Sequence, residues 1–398
     1  MSVLKYWIWL SSAQKLSVNT KAKLISYYHD AEAVFFAPDG ELQRLAGISA
    51  GEAAILEKRD LRRAEEIMES CRRQGLGILS MQDAAYPKRL RQIYAPPTVL
   101  YVKGKLPALD DEAALAVIGT RSATPYGLRM GRNIAYEIAK CGGVVVSGLT
   151  SGVDAAAARG AIQAGGCCIG VLGTSFDQES SPISMEVSER GALITEHAPG
   201  TAPLKSFFRD RNRITAGISV GVVVVEAPEH SGTRLFVSEA AEQGKEIFAV
   251  PGNADAASCA GTNALLKEGA KPVTAGREVM EEFSALFPEK VKIPSSIVVP
   301  AEEIIEEKRR EQPSVVKKDI DKEKGRGYID LKEQLSQLSE EQLQIITAIG
   351  GGAPHIDDII ETTGLGTAKV LAQLTVLEIK GYIHRESGRR IALNTAKK

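Results

Sequence analysis

The middle of the chain alternates between short, nearly continuous apolar runs and longer segments in which apolar residues recur at helical spacing. The short runs predict buried strands, and the longer segments predict helices. Such strands separated by helices are typical of a parallel sheet covered on both faces. We therefore predict a Rossmann-like α/β domain over residues 113–285. Its strands are predicted at residues 114–118, 144–147, 168–172, 193–195, 220–225 and 247–250, and its helices at 131–140, 154–164 and 235–243.

The start of the chain carries the apolar spacing of helices. Residues 42–48 form an LxxLxGI pattern between two short helical segments, which is typical of a helix-hairpin-helix. In that motif the glycine lets backbone N–H groups at the next helix start face a phosphate. The alternative, which we favour, is that Gly47 only makes a tight turn in a small helical domain. The sequence thus predicts a helical domain of the SAM or helix-hairpin-helix type over residues 1–75, then a connecting segment over 76–112.

Beyond residue 285 the pattern changes twice. Residues 286–334 contain four prolines and dense charges of both signs, which predicts a charged linker that acts as a solvated spacer. Residues 335–394 predict three helices followed by a β-hairpin, which is the plan of a winged-helix domain. The helices are predicted at residues 340–349, 356–362 and 367–380, and the hairpin strands at 382–384 and 390–393.

The third helix of a winged-helix domain is the one that reads a DNA groove. Here it carries Lys369 and Lys380, with Glu378 opposing them. Gln373 is its one side chain suited to pairing with base edges. We therefore favour a protein contact or a weak DNA contact for this domain over sequence-specific reading.

The overall charge does not point to a protein that coats nucleic acid, because 49 basic and 50 acidic side chains leave a formal net charge of -1. Any phosphate binding must therefore come from local clusters. The five cysteines include no CxxC pair, which predicts neither a disulfide framework nor a zinc site and fits a reducing, cytoplasmic location. No apolar run approaches the roughly 18 residues of a membrane span, and the N-terminus lacks the apolar core of a secretion signal.

Enzyme signatures are missing from the sequence. It contains neither a GxxxxGKS/T motif nor an HExxH motif, and its five histidines are scattered. No convincing set of nucleophile, base and acid is present. We therefore predict a non-catalytic protein with no cofactor and no metal.

Loops of small residues follow several of the predicted strands. In an open parallel sheet, ligands bind at the carboxyl ends of the strands, where glycine lets backbone amides approach an anion and helix N-termini add partial positive charge. Each loop alone is a weak signal, since a glycine after a strand usually makes a tight turn, but together they predict a phosphate pocket. The loop residues predicted to form it are Gly119, Thr120, Arg121, Ser147, Gly148, Ser231, Gly232 and Thr233.

Residues 205–213 hold four cations and one anion within nine positions. Arginine forks suit phosphate oxygens, and a phenylalanine beside them can stack on nucleic-acid bases. The alternative is structural, with Arg211 and Arg213 pairing with Glu196 or Glu226. The binding candidates in this segment are Lys205, Phe208, Arg211, Asn212 and Arg213.

Short motifs along nearly the whole chain resemble, together and in order, those of the DNA-processing A (DprA/Smf) family. They are YPKRL at 86–90, PPTVLY at 96–101, VIGTR at 117–121, VSGL at 146–149, GVD at 152–154, RNRI at 211–214, VEA at 225–227, SGT at 231–233, AVPG at 249–252 and GTN at 261–263. The resemblance implies a Rossmann-like domain that binds single-stranded DNA and forms a homodimer. It also implies that the protein hands the strand to a RecA-type recombinase, chiefly in natural transformation.

The same resemblance assigns roles by motif position. The side chains that it implies contact DNA are those of Arg121, Lys205, Phe208, Arg211 and Arg213. The residues that it implies supply backbone and hydroxyl contacts are Gly119, Ser147, Gly148, Gly232 and Thr233.

The chain also departs from the family pattern. Ser151 stands where a basic residue is usual, and Ala157-Ala158 stands where Ala-His is usual. Residues 178–182 replace an expected Tyr-Pro segment, and Phe207-Phe208 replaces Phe-Pro. We therefore expect a pocket that has lost some polar groups.

Two other functions remain open from the sequence. The first is an interaction scaffold that meets partner proteins through its helical and winged-helix ends and has a weakened DNA pocket. The second is a nucleotide-cleaving enzyme similar to lysine-decarboxylase-like proteins, for which Gly232-Thr233 with Glu239 gives some support. Those enzymes need a Gly-Gly pair ahead of the Gly-Thr pair, where this chain has His230-Ser231.

Overall fold

The computed structural model describes residues 3–13, 15–38, 40–45, 47–300, 340–349, 355–379, 383–386 and 390–393. The chain divides into two compact units, Met1–Glu303 and Ile304–Lys398. No helix within the described ranges is long and apolar enough to cross a membrane.

A sheet of nine strands forms the centre of the first unit. The strands are β1 Gly77–Ser80, β2 Val99–Gly104, β3 Ala114–Ile118, β4 Val144–Ser147, β5 Cys168–Val171, β6 Ala192–Thr195, β7 Gly221–Val224, β8 Glu246–Ala249 and β9 Lys271–Pro272. Their order across the sheet is β1-β2-β6-β5-β4-β3-β7-β8-β9. All neighbours from β6 to β9 pair in parallel, which confirms the predicted Rossmann-like core.

The sheet extends into the segment that was predicted only to connect two domains, residues 76–112. β1 and β2 lie in that segment, and β2 pairs antiparallel with both β1 and β6. The apolar run at the start of β2 is fully buried, which explains why it joins the sheet. The structure thus corrects the prediction, because this segment supplies the edge strand β1 and its neighbour β2 to the sheet.

Fourteen described α-helices belong to the first unit. They are α1 Leu4–Ser12, α2 Val18–Tyr28, α3 Ala31–Phe35, α4 Glu41–Arg44, α5 Ala50–Leu56, α6 Arg62–Gln74, α7 Lys88–Arg91, α8 Pro125–Lys140, α9 Val153–Gln163, α10 Ser184–Arg190, α11 Lys205–Ile218, α12 Gly232–Glu242, α13 Ala260–Lys267 and α14 Gly276–Phe283. Because successive side chains of a strand point to opposite faces, Leu115 and Val117 of β3 pack with α8, α9 and α14. Ala114 and Ala116 pack with α11 and α12 on the other face.

The N-terminal helices share a core with the sheet. Trp7 and Leu10 of α1 and Leu24 of α2 pack in one buried cluster with Val99 and Tyr101 of β2. The predicted helical start is therefore confirmed, and it is joined to the sheet through the β2 strand.

The first part of the predicted linker packs on the sheet domain. Val291 is buried in the same cluster as α8 and α14. The Lys292 N–H donates to the Cys141 carbonyl oxygen at 2.9 Å, and Arg132 Nη2 donates to the Pro300 carbonyl oxygen at 3.1 Å. Residues 286–300 are therefore not a solvated spacer, because Val291 is buried and Phe287, Ile293 and Ile297 pack, partly buried, against the domain. The rest of the predicted linker, residues 301–334, lies outside the described residues.

The second unit has the predicted winged-helix plan. Its helices are α15 Glu340–Ile349, α16 Ile356–Thr363 and α17 Thr367–Ile379, and its strands are β10 Ile383–Glu386 and β11 Arg390–Leu393. The two strands pair antiparallel. Ile345, Ile359, Leu374 and Ile391 lie in its buried core, so the three helices and the hairpin pack around one apolar cluster.

Candidate nucleic-acid interface

A cleft of about 460 Å³ opens at the carboxyl ends of the parallel strands β3 and β4, between the N-terminal parts of α11 and α12. The residues that line it are Ile118, Gly119, Thr120, Arg121, Gly148, Thr150, Asp154, Lys205, Phe208, Arg209, Arg211, Asn212, Thr215, Ser231, Gly232, Thr233, Leu235 and Phe236. The structure thus brings together every predicted site residue except Ser147 and Arg213. This position agrees with the rule that ligands bind where the strands of an open parallel sheet end.

The loop after β3 is shaped by a buried carboxylate. Glu226 accepts hydrogen bonds from the Thr124 N–H at 2.8 Å and from Thr124 Oγ1 at 2.7 Å, while its carbonyl oxygen accepts the Thr120 N–H at 2.8 Å. A side chain at Gly119 would overlap Val153 and the Glu226 carbonyl oxygen, so only glycine fits there. Glu226 therefore holds the loop that carries Arg121 to the rim of the cleft.

Arg211 forms the floor of the cleft. It is buried, and its Nη1 donates to the Val171 carbonyl oxygen at 2.8 Å. A side chain at Gly148 would overlap the Arg211 guanidinium, so the glycine after β4 makes room for this cation. Arg211 Nε has no hydrogen-bond partner among the described residues. The Nε–H group of the floor arginine is therefore a donor that no described residue uses.

A buried carboxylate lies near this cation. Asp154 is 6% exposed and accepts a hydrogen bond from Thr150 Oγ1 at 2.9 Å. Burial lowers the pKa of Arg211 and raises the pKa of Asp154, and the opposite charge of each group counters the shift of the other. Asp154 thus balances part of the charge on the floor, and sequence reasoning did not include it in the site.

The rim of the cleft pairs a cation with an aromatic ring. The guanidinium carbon of Arg121 lies 5.9 Å from the centroid of the Phe208 ring. Arg121 is exposed, and Phe208 is 36% exposed. Phe208 also packs against the backbone of Gly173 after β5. An aromatic face held beside a cation suits stacking with a base next to a phosphate.

Helix α11 explains how the basic segment is presented. Lys205, Phe208, Arg209 and Asn212 recur at intervals of three and four positions, so they lie on one face of the helix and line the cleft. The sequence prediction named the segment but not the helix. Helical spacing over residues 205–218 was the signal that could also have added Arg209 to the site.

The N-terminus of α12 closes the opposite side. Ser231 is the N-cap of this 11-residue helix, Gly232 and Thr233 are its first two residues, and all three line the cleft. Ser231 Oγ has no hydrogen-bond partner among the described residues. Backbone N–H groups at a helix start favour anions, so this end of the cleft suits a phosphate.

Two predicted site residues lie elsewhere. Arg213 is buried and forms an ion pair with Glu196, with Arg213 Nη2 at 2.6 Å from Glu196 Oε2. The structural alternative for Arg213 is therefore the correct one, because α11 turns its side chain away from the cleft. Ser147 is fully buried, and its hydroxyl donates to the Asp154 carbonyl oxygen at 3.0 Å and accepts the Leu149 N–H at 3.1 Å. Ser147 thus shapes the turn after β4.

The charge of the cleft differs from that of the chain. Four cationic side chains, Arg121, Lys205, Arg209 and Arg211, line it against the single carboxylate of Asp154. The chain as a whole has a formal net charge of -1. Positive charge is thus concentrated where the loops and helix starts converge, which favours an anionic ligand.

The helix that follows the LxxLxGI turn of the N-terminal domain is capped by a carboxylate of its own first turn. Gly47 has φ +82°, and α5 begins after a capping box in which Ser49 and Glu52 satisfy each other's backbone N–H groups. Hydrogen bonds from Thr20 and Ser49 lower the pKa of Glu52 to about 2. The anion at this helix start is therefore Glu52, which supports the interpretation that the turn serves packing.

The departures from the family pattern fall in different places. Ala157 and Ala158 are fully buried in the core of α9 and do not line the cleft. Ser151 is exposed, and its hydroxyl donates to the Arg121 carbonyl oxygen at 3.4 Å. Of these three residues, only Ser151 therefore contacts a cleft residue, and the alanine pair changes packing under the sheet. Phe208, which stands where the family pattern has proline, lines the cleft itself.

Comparisons with known proteins bear on the family of the chain. The family model described as DNA recombination-mediator protein A matches residues 77–284, which include β1 and β2. The chain is 30% identical over 351 residues to the putative DNA processing protein DprA of Mycobacterium tuberculosis, an alignment that covers 83% of this chain and 81% of that protein. The chain belongs to the DprA/Smf family.

Other members agree over shorter stretches. DNA processing protein DprA of Bacillus subtilis is 36% identical over 221 residues, which cover 54% of this chain and 74% of that protein. The X-ray structure of DprA from Streptococcus pneumoniae superposes with a TM-score of 0.61 at 29% identity, covering 71% of this chain and 99% of that chain. A second family model, the DprA winged helix domain, matches residues 331–389. This family member thus ends in a domain that matches the winged-helix model named for DprA.

Proposed function

We propose that this DprA/Smf family member binds single-stranded DNA in the cleft and acts without catalysis. The observation that carries the proposal is the convergence of Arg121, Phe208 and Arg211 with the N-terminus of α12 at one edge of the sheet. The cations and the helix start would hold phosphates, while the Phe208 ring would stack on a base.

The shape of the site favours a single strand over a duplex. Stacking on Phe208 requires a base whose face is free, and a base inside a duplex has both faces covered by its neighbours. Loops and helix starts line the cleft, so bases would enter it rather than be read from a groove. Base stacking is worth roughly 1–3 kcal/mol and does not depend on sequence, so binding would be sequence-tolerant.

The acidic residues near the cleft support a non-catalytic role. Asp154 is buried, holds Thr150 and balances Arg211. Glu239, which the nucleotide-cleaving alternative would use, accepts a hydrogen bond from Gln243 Nε2 at 2.9 Å, and that amide also binds the Arg213 carbonyl oxygen. Release of free base from nucleoside monophosphates by the purified protein would support the enzymatic alternative instead.

We further propose that the protein protects incoming DNA during natural transformation and loads a RecA-type recombinase onto it, as a homodimer in the cytoplasm. Family membership supports this step. Sedimentation should give the mass of two 42.6 kDa chains, and immobilised protein should retain the recombinase of the same cell. A monomer that does not retain the recombinase would contradict it. Recombinase capture without DNA binding would favour the interaction scaffold.

The binding site is tested by fluorescence anisotropy with labelled oligo-dT. Arg121→Glu should lower affinity by about 10- to 100-fold, because hydrogen bonds to charged groups are worth about 1.5–3 kcal/mol. Phe208→Ala should also weaken binding. Phe208→Tyr should bind like the wild type, because it keeps the ring face. A matched charge reversal at Lys103, exposed near the end of β2, should leave affinity unchanged. Wild-type affinity in both Arg121→Glu and Phe208→Ala, with native circular dichroism, would refute the assignment.

A further inference from the structure

A second groove, of about 410 Å³, lies between helix α2 and the segment that leads into β2. Its floor is apolar and includes Ile25, Met81 and Ile93. Exposed cationic side chains, Lys23 and Arg91, lie on its rim. None of the described residues that line this groove is acidic. The groove is therefore apolar at its base and positively charged at its edge.

The rim also presents an exposed aromatic ring. Tyr94 lines the groove and is 72% exposed, which is unusual for a large aromatic side chain. It precedes Ala95, whose φ of +49° is rare for a residue other than glycine. The backbone is thus held in a strained turn beside an exposed ring. Such strain persists where the surrounding structure fixes it, and it concentrates at functional sites.

Contacts with neighbouring residues fix the positions of the two rim cations, Lys23 and Arg91. The Lys23 Nζ lies against Gly47, at the turn before α5. The Arg91 guanidinium lies 5.7 Å from the centroid of the Tyr86 ring, and its Nη2 donates to the Asp83 carbonyl oxygen at 3.3 Å. No described residue forms a salt bridge with either side chain, so both charges remain available to a ligand.

The sheet topology places one wall of this groove at the same edge as the cleft. Met81 follows the end of β1, and Pro96 shortly precedes the start of β2. Because β2 runs antiparallel to β6, its start lies at the carboxyl edge of the parallel strands. Three strand spacings separate β2 from β4, which is about 14 Å along that edge. A single strand bound in the cleft is therefore within reach of the groove.

From this placement we infer that the groove is a second contact for the same single strand, with Lys23 and Arg91 binding phosphates and Tyr94 stacking on a base. The inference rests on the proposed function. The edge between the two sites carries both signs of charge, with Arg63 donating to the Pro199 carbonyl oxygen and Asp177 accepting the Gly200 N–H. The groove is thus a separate point of contact, which only strands long enough to span the edge would engage.

Strand length separates the two contacts experimentally. Full-length protein is titrated with dT strands of about 4 and about 20 nucleotides, which bracket the site sizes of single-strand-binding modules. Lys23→Glu/Arg91→Glu should lower affinity for the longer strand by about 10-fold and leave the shorter strand unaffected. The slope of log affinity against log salt should fall by about 1.4, at about 0.7 for each phosphate that the variant no longer binds. Tyr94→Ala should lower the affinity for the longer strand only, by about 10-fold, with little change in the salt slope.

The controls separate this inference from the proposed function. Lys103→Glu/Lys105→Glu makes the same change in net charge at the opposite edge of the sheet and should change neither affinity. Arg121→Glu should lower the affinity for strands of both lengths. Unchanged affinity and salt slope for the longer strand in both groove variants would overturn the inference while the proposed function stands, and would leave the groove to a protein partner. Wild-type protein that binds neither strand would overturn both.

Discussion

Arg211 and Arg213 show how two identical side chains in one helix take different roles. They lie two positions apart in α11, which turns their directions by about 200°. Arg211 therefore forms the floor of the cleft, and Arg213 pairs with Glu196 behind it. The composition of the sequence could not distinguish the roles of these two arginines, because both stand in the same basic segment. Only the phase of the helix does so.

Removing Arg213 should destabilise the fold without touching the cleft. Arg213→Ala leaves Glu196 buried without its ion partner, and breaking a buried pair in this way costs about 3–5 kcal/mol. Arg209→Ala, an exposed position on the same helix, should change the free energy of unfolding by no more than about 0.5 kcal/mol. Urea denaturation of the two variants measures the difference. Equal stabilities would show that the Arg213–Glu196 pair is not a structural contact.

DNA binding should require glycine at position 148, because the Arg211 guanidinium lies against it. Gly148→Ala places a methyl group where the Arg211 side chain lies, so the cation must move from the floor of the cleft. Affinity for oligo-dT should fall by about 10-fold or more, the reduction expected when a charged hydrogen bond is removed. Gly51→Ala, where no atom lies within 4 Å of the added methyl group, is the matched control. If Gly148→Ala binds like the wild type, Arg211 does not contact the strand.

At the scale of elements, the apolar runs predicted the parallel strands because a strand buried on both faces needs a continuous apolar sequence. β1 and α11 were missed for different reasons. The apolar run in β1 is only two residues long, Ile78 and Leu79, and the polar N-terminal half of α11 hides the apolar spacing of that helix. The loops of the site were predictable, since strand ends and glycines mark them. Asp154 was not, because its role depends on the position of Arg211 in space.

Helix α2 also brings a lysine into the interior beside the Arg213–Glu196 pair. Burial lowers the pKa of Lys21 from 10.5 to about 8, while Glu196 counters that shift and Arg213 adds to it. Above about pH 8 the folded protein therefore releases a proton that the unfolded chain holds until about pH 10.5. Stability rises with pH wherever the unfolded state binds more protons. This contribution should appear between those two pH values.

A difference measurement isolates the Lys21 contribution. The free energy of unfolding of wild-type protein, less that of Lys21→Met, should rise by up to about 3 kcal/mol between pH 8 and pH 10.5. Below pH 8 the difference should be constant, because Lys21 is charged in both states. A difference that stays flat over the whole range would show that Lys21 is not buried as a charged group.

At the scale of the whole molecule, both proposed DNA contacts lie in one of the two compact units. The cleft and the groove both lie in Met1–Glu303, and the winged-helix domain belongs to Ile304–Lys398. A chain that ends at Glu303 should therefore bind oligo-dT within about threefold of the full-length protein. A larger drop in affinity, with native circular dichroism, would place part of the DNA-binding surface in the winged-helix unit.

We propose above all that a locally positive cleft with an aromatic rim binds single strands. The most direct measurement is the affinity of the full-length protein for oligo-dT and for a duplex of equal length, across a range of salt concentrations. We expect tighter binding of the single strand at every salt concentration, with a log–log slope of about -0.7 for each phosphate contacted. Arg121→Glu should reduce both the affinity and the slope. Equal binding of the duplex, or single-strand binding that does not change with salt, would contradict the account.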